Sequence, residues 1–316
     1  MYDVIALGEL LIDFATKSVD ERGYPTFASN PGGAPPNFLA ALAAFGCKTG
    51  LMGKVGNDSF GKMLINTLKD CGIGTEGMIV SDDVFTTLAF VTFDAKGDRE
   101  FAFARKPGAD MALTEDEVRY DLIDESRMFH FGTLSLTDEP ARTATYRAVE
   151  YARSRGKIIS CDPNLRLPLW KDPESAKEQM LWAIAHADVV KISDNEVEFL
   201  WGITPEEGAE KILREFGAQL VYVTCGSEGC VFANRNGKGS VPALAGVKPV
   251  DTTGAGDIFG GSAAAGLIKS GKLPGELTVS ELEEIVRFAC TAAGLSTEKF
   301  GGISSVPTLE EVRARL

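Results

Sequence analysis

Positive charge is scarce in this chain: 32 lysines and arginines face 45 aspartates and glutamates, for a formal net charge of −13 at pH 7. So acidic a surface argues against nucleic acid and against anionic membrane as partners, because both carry the same sign. A nucleotide ligand would have to be met locally, by arginines and a divalent metal. Histidine is nearly missing. His130, in an apolar strand-like run, and His186, on a helix, are the only two, and both read as core residues rather than catalysts. The six cysteines, Cys47, Cys71, Cys161, Cys225, Cys230 and Cys290, form no CxxC pair and follow no zinc spacing, so they read as small core residues in a reducing cytoplasm. No uncharged run approaches the ~18 apolar residues of a membrane span. The opening MYDVIALGELLID has no basic region and is interrupted by Glu9, so no signal peptide is expected. Internal repeats, low-complexity tracts and linkers are also missing.

What remains is ample for a core: 316 residues, 44% of them apolar, suit one large α/β domain or two unequal ones. The organising stretch is DTTGAGD, Asp251 to Asp257. Small and apolar residues after Gly256, ending at Gly271, predict a buried helix whose start is Thr253 to Gly256. A helix start has unpaired backbone NH groups and the positive end of the dipole, and glycine lets an anion approach the backbone. Asp257 would fall in the first turn, placing a proton acceptor beside an anion hole. Phosphoryl transfer to an alcohol requires that pair. The plainer alternative is Thr253 as an N-cap and Asp257 as an ordinary first-turn acid.

Other candidates follow along the chain. A short strand over Val4 to Leu7 places Asp13 where the chain leaves a sheet, a common ligand position in α/β folds. Residues 15 to 31 look irregular and polar. Gly32 and Gly33 can turn sharply, Pro35 and Pro36 suit a helix start, and Asn37 in its first turn offers a donor and an acceptor to a polyhydroxylated ligand. Two motifs mislead. Gly56, Gly61 and Lys62 fit most of a P-loop, but Met63 replaces the hydroxyl residue and Asn57-Asp58 reads better as a helix cap. Gly72, Gly74 and Gly77 fit GxGxxG but follow a helix, so they read as its stop and turn. Thr86 to Phe93 and Arg99 to Ala104 alternate around residues 95 to 98 as a β-hairpin, which with 14 to 32 forms an antiparallel appendage able to act as a lid. Arg105 at its end would either reach the site or decorate an edge. Beyond Pro107 strands alternate with helices, and polar loops gather at strand ends: DPNLR with Arg166, SDNE, and TCGSEG. Arg166 is the best phosphate or carboxylate partner among them.

PGGAPPNFLAALAAFG with GKVGND behind it, DPNLRLPLW, KISDNEVEFL and DTTGAGDIFGG, in this order and over nearly the whole chain, resemble the ribokinase-like, phosphofructokinase-B type carbohydrate kinases. REFAFARKPGADMALT and FHFGTLSL are most similar to fructokinases within it. The resemblance implies an α/β fold, a three-layer α/β/α sandwich with a mostly parallel central sheet and a small β-sheet lid. It implies one kinase domain over 1–316, its lid drawn from about 13–33 and 86–106. ATP, Mg²⁺ and a monovalent cation, K⁺, would serve transfer of the γ-phosphate to a sugar hydroxyl, most simply fructose. 2-Keto-3-deoxygluconate, ribose or an aminoimidazole riboside are alternatives, and a non-catalytic sugar-binding regulator is a more distant one.

By the same resemblance Asp257 is the base and the amides of Gly254, Ala255 and Gly256 form the anion hole. Asp13, Gly33 and Asn37 hold sugar hydroxyls, with Arg105 and Arg166 near the substrate. Thr224, Gly226, Ser227 and Gly229, with Ser193, match nucleotide-binding positions. Asp251, Thr253, Ser296, Lys299, Gly301 and Ser305 match a monovalent-cation site built mostly of backbone carbonyls. The family's NxxE motif near magnesium aligns with Ser193 to Glu196, serine replacing asparagine. The register Asn195 to Glu198 is the alternative, but Phe199, Leu200 and Gly202 align better with Glu196. The lid edges offer a route to a homodimer.

Overall fold

The computed structural model describes residues 1–93 and 99–316. Among the described residues thirteen strands form two sheets: β1 (Tyr2–Leu7), β2 (Leu11–Val19), β3 (Pro25–Gly32), β4 (Thr49–Gly56), β5 (Ile73–Ser81), β6 (Leu88–Phe93), β7 (Arg99–Ala104), β8 (Ser126–Gly132), β9 (Ile158–Asp162), β10 (Val189–Ser193), β11 (Leu220–Thr224), β12 (Cys230–Asn234) and β13 (Gly237–Val241). The larger sheet runs β13-β12-β11-β10-β9-β8-β1-β4-β5, parallel except where β12 pairs antiparallel with β11 and β13. Its strands are apolar on both faces, as parallel strands covered by helices must be. In β1, Val4 and Ala6 pack toward the helices Ala34–Ala44, Ala255–Ser270 and Val279–Ser296. Ile5 and Leu7 pack toward Ala141–Ser154 and Pro173–Ala185. The result is the expected three-layer α/β/α sandwich, its strands ending together on one side.

The smaller sheet, β3-β2-β6-β7, lies over that side. β2 and β3 pair antiparallel from Leu11↔Gly32 to Val19↔Pro25, so the stretch read as irregular is largely a strand pair. Its signal was faint because both faces of these strands are partly exposed and neither carries a clean apolar alternation. β6 and β7 pair antiparallel as expected, while the turn expected at 95–98 lies outside the described residues. The P-loop look-alike is a helix cap: Asp58 accepts bonds from the backbone of Phe60 and Gly61 at 2.9 and 2.8 Å and starts the helix Ser59–Asp70. Of the GxGxxG glycines only Gly72 is a helix stop, at φ +72°. Gly74 and Gly77 lie inside β5, where a side chain would strike Tyr2 or Met52.

Two contacts set the site. Helix Ala255–Ser270 crosses helix Ala34–Ala44 so closely that a Cβ on Gly261 would overlap the carbonyl of Phe38, which is why small residues recur there. The second is Arg105, expected near the substrate and found elsewhere. It is buried, donating from Nε to Asp110 Oδ2 at 2.8 Å, from Nη1 to Thr137 Oγ1 at 2.9 Å and from Nη2 to the Leu134 carbonyl at 2.8 Å. Asp110 also accepts from the Thr87 hydroxyl. A guanidinium that must be desolvated is held by partners on all sides, so Arg105 rivets the base of the lid to the core and does not line the cleft. Arg105→Met should therefore strand the Asp110 charge and cost about 3–5 kcal/mol in thermal or urea unfolding. Adding Asp110→Asn should restore much of that loss.

Candidate active site

Between the strand ends of the large sheet and the inner face of the lid lies a cleft of about 620 Å³. Its centre is the start of helix Ala255–Ser270. Gly254 precedes that helix at φ +77°, a left-handed conformation that suits glycine, and no side chain caps the helix. The Ala255 amide bonds the Thr252 carbonyl at 3.3 Å. The first turn otherwise presents its backbone to the cleft, with Gly254, Gly256 and Asp257 all in its wall. Asn37 Nδ2 donates to Asp257 Oδ2 at 2.8 Å, which orients both side chains. Among the described residues Asn37 Oδ1 finds no partner although Asn37 is buried, so a donor arriving in the cleft would satisfy it. Burial pushes the Asp257 carboxyl up to about 7, helped by the Asp162 charge and opposed by Lys191, the Asn37 bond and Arg166. A carboxylate poised near neutral pH suits a general base.

Asp13 enters the cleft from β2, and its carboxyl rises to about 6 through burial, opposed by Arg166. Gly33, at φ +119°, leaves room for the Glu9 carbonyl. Arg166 lines the cleft with its side chain largely exposed. Glu196, though buried, also lines the cleft, and the S-x-x-E spacing is a capping box for helix Asp194–Trp201. Glu196 Oε2 accepts from the Ser193 amide at 2.7 Å and hydroxyl at 2.8 Å, and Oε1 from the Leu165 amide at 2.6 Å. Glu198 is exposed, so Glu196 is the glutamate of this motif that faces the cleft.

Thr224 and Gly226 also line the cleft, but Ser227 and Gly229 do not. Gly229 is glycine because a Cβ would collide with the Val241 carbonyl, a packing role. Asp251 knots two loops together: Oδ1 accepts from the Thr253 amide and hydroxyl at 3.0 and 2.7 Å, and Oδ2 from the Gly301 amide at 2.9 Å. Ser296 and Ser305 are buried beside this knot, their hydroxyls spent on the Ala293 and Gly302 carbonyls. The Lys299 ammonium is paired with Glu311. At these three positions only backbone atoms are left for a cation.

Three site residues escaped the sequence reading. Glu9, noted there only as a break in an apolar run, is buried and accepts from the Ala34 amide at 2.7 Å, serving as a remote cap for helix Ala34–Ala44. Lys191, in the cleft wall, forms a buried pair at 3.0 Å with Asp162, which lies behind it. A lysine inside the apolar strand VVKIS was the available signal. His130 stacks on Phe38 with ring centres 3.7 Å apart, and burial lowers its pKa to about 3, so it is a neutral core residue. No helix among the described residues is long and apolar enough to cross a membrane.

An uncapped helix start, an oriented carboxylate beside it and a small sheet above suit group transfer to a small ligand. Residues 1–309 match the model of the pfkB family of carbohydrate kinases. The chain is 42% identical over 313 residues to Fructokinase-1 of Zea mays, spanning 98% of this chain and 96% of that one. A fructokinase with bound ATP from Xylella fastidiosa superposes with a TM-score of 0.91 at 28% identity, covering 99% and 98% of the two chains. A double mutant of the fructokinase from Vibrio cholerae O395, in its fructose-, ADP- and potassium-bound form, gives a TM-score of 0.87 at 29% identity, covering 100% and 98%. The chain belongs to the pfkB family of carbohydrate kinases.

Burial raises the Glu9 carboxyl to about 7 from an ordinary 4.5. A raised acid adds stability below its unfolded pKa, and that contribution is lost as pH rises through about 7. Glu9→Gln keeps the acceptor for Ala34 and removes the buried charge. Thermal unfolding should show the variant more stable than the parent by on the order of 1–3 kcal/mol at pH 8.5, with the gap closing toward pH 5.

Proposed function

We propose that the chain is an ATP-dependent fructokinase that moves the γ-phosphoryl group of ATP to the 6-hydroxyl of D-fructose. The observation that carries this is the Asp257 carboxylate, oriented by Asn37 at the uncapped helix start, where base and anion hole meet. Asp257 takes the hydroxyl proton as the sugar oxygen bonds to phosphorus and the bond to the ADP oxygen breaks. The amides of Gly254 and Gly256 face the charge that develops, and that of Ala255, bonded here to the Thr252 carbonyl, would join them on letting go of that bond. Asp13, Gly33 and Asn37 hold the sugar, with Arg166 beside it; Arg105 is withdrawn from this role. Thr224, Gly226 and Ser193 line the nucleotide side, with Ser227 and Gly229 shaping its loop.

Among the described residues no cluster of three carboxylate, cysteine or histidine ligands could cage a metal. The cleft wall nonetheless carries six carboxylates, Glu9, Asp13, Asp194, Glu196, Asp251 and Asp257, against two cations, Arg166 and Lys191. That suits Mg²⁺ held chiefly by ATP phosphates, with Glu196 acting through water. When bound it would neutralise charge on the β- and γ-phosphates. The knot around Asp251 suits K⁺ held by carbonyls of Asp251, Thr253, Ser296, Lys299, Gly301 and Ser305.

The same imbalance favours a neutral sugar. With Arg105 buried and Lys191 paired, an acid sugar such as 2-keto-3-deoxygluconate would find only Arg166 among the described residues of the cleft. The intact DTTGAGD stretch speaks against a non-catalytic regulator. We read residues 1–316 as one catalytic unit with a lid from about 13–33 and 86–106, working in the cytoplasm as a homodimer joined through the lid.

ADP release with Mg²⁺ and K⁺ across fructose, ribose, 2-keto-3-deoxygluconate, an aminoimidazole riboside and glucose tests the substrate, with fructose expected to be strongest; a higher kcat/KM on another sugar would overturn the choice. Asp257→Ala should lower kcat about 10²- to 10⁴-fold while ATP still binds. Because the base must be ionised, kcat/KM should fall as pH drops through about 7, and a flat profile from pH 5.5 to 8.5 would sink its role.

A further inference from the structure

Lys191 is the one charged side chain of β10. Its ammonium is held by Asp162 Oδ2 at 3.0 Å, and the two side chains are only 12% and 7% exposed. A Cβ placed on Gly256 would lie 2.9 Å from that ammonium. Cα–Cβ bonds tilt toward the N-terminus of their helix, and Gly256 is in the first turn of Ala255–Ser270. Lys191 Nζ therefore lies beside the first turn of that helix, and both it and Gly256 are in the cleft wall. We propose that Lys191 is a catalytic residue: a fixed cation that completes the anion hole with the Gly254 to Gly256 amides and touches the oxygens of the phosphoryl group in transfer. The proposal rests on the kinase reading above.

It gives Gly256 a second purpose. The missing side chain lets an anion reach the backbone and also leaves the space that the ammonium occupies. It explains Asp162 as well, which stays out of the cleft wall and anchors the lysine from behind. Burial alone would discharge the amine, but Asp162, Glu196 and Asp257 together raise its pKa, so it remains a cation. A charge already in place before the reaction needs no reorganisation as negative charge moves onto the transferred group.

Two simpler roles compete: Lys191 neutralises Asp162, or it keeps Asp257 ionised. The groups facing Asp257 are Asp162, Lys191, Arg166 and Asn37. The test compares wild type, Lys191→Met and the Lys191→Met/Asp162→Asn pair, with fructose and MgATP, at pH 7.5 and 9. The paired variant leaves no buried charge unmatched and guards against a folding defect, which thermal unfolding checks. Both variants should lose kcat about 10²- to 10³-fold, with KM for fructose changed less than threefold, at both pH values. Wild-type kcat in the paired variant would reduce Lys191 to a counter-ion for Asp162. Recovery of Lys191→Met at pH 9 would assign the effect to protonation of Asp257. Either result overturns the proposal while wild type remains an active kinase. A wild type inactive on every sugar would instead sink the functional reading beneath it.

Discussion

One hydrogen bond organises this protein: Asn37 to Asp257, across 220 positions of sequence. It exists only because helices Ala34–Ala44 and Ala255–Ser270 cross at near-backbone contact, and they can do so only because Gly261 carries no side chain. The crossing draws Asp257 away from water, which raises its pKa, and the Asn37 amide keeps the carboxylate aimed. It also places the carboxylate in the first turn of an uncapped helix, so the proton acceptor and the anion hole that we propose share one rigid element. Helix, base and hole cannot be displaced separately.

Around that centre the charge is unusual. The molecule is strongly acidic, and so is its cleft, although the reaction requires a polyanionic nucleotide to enter it. Fixed cations are few and placed with care. Lys191 is pinned by Asp162 at the foot of the helix, Arg166 stands at the rim, and Arg105 is committed to the hinge of the lid. The remaining charge of the nucleotide falls to metal ions and to backbone NH groups, which carry no desolvation cost comparable to that of a buried ammonium.

Features with local causes were legible in the sequence. The start of helix Ala255–Ser270, the Asp58 cap that unmasks the false P-loop, and the parallel strands after Pro107 each follow from propensity, capping or apolar runs within a few residues. Strands β2 and β3 did not, because a sheet wetted on both faces has no reason to alternate. An arginine at the end of a hairpin can swing either way, so only the family resemblance implied Arg105 near the substrate, and what decides is whether Asp110, Thr137 and the Leu134 carbonyl surround it. Ser227 and Gly229 share a loop with Thr224 and Gly226, yet the turn over Gly226–Glu228 carries them away from the cleft.

By itself, then, the sequence determined the alternation of strands and helices, the glycine-rich helix start with an acid in its first turn, and the family to which these belong, since each is encoded by neighbouring residues and by chain-wide spacing. Tertiary structure alone decided which charges meet. Glu9 reaches Ala34, Lys191 reaches Asp162 and the space over Gly256, and Arg105 reaches Asp110, with the first two of these contacts joining separate elements. Electrostatic energy depends on distance and on the water that remains between charges. Both are set only when the sheet, its helices and the lid have closed together.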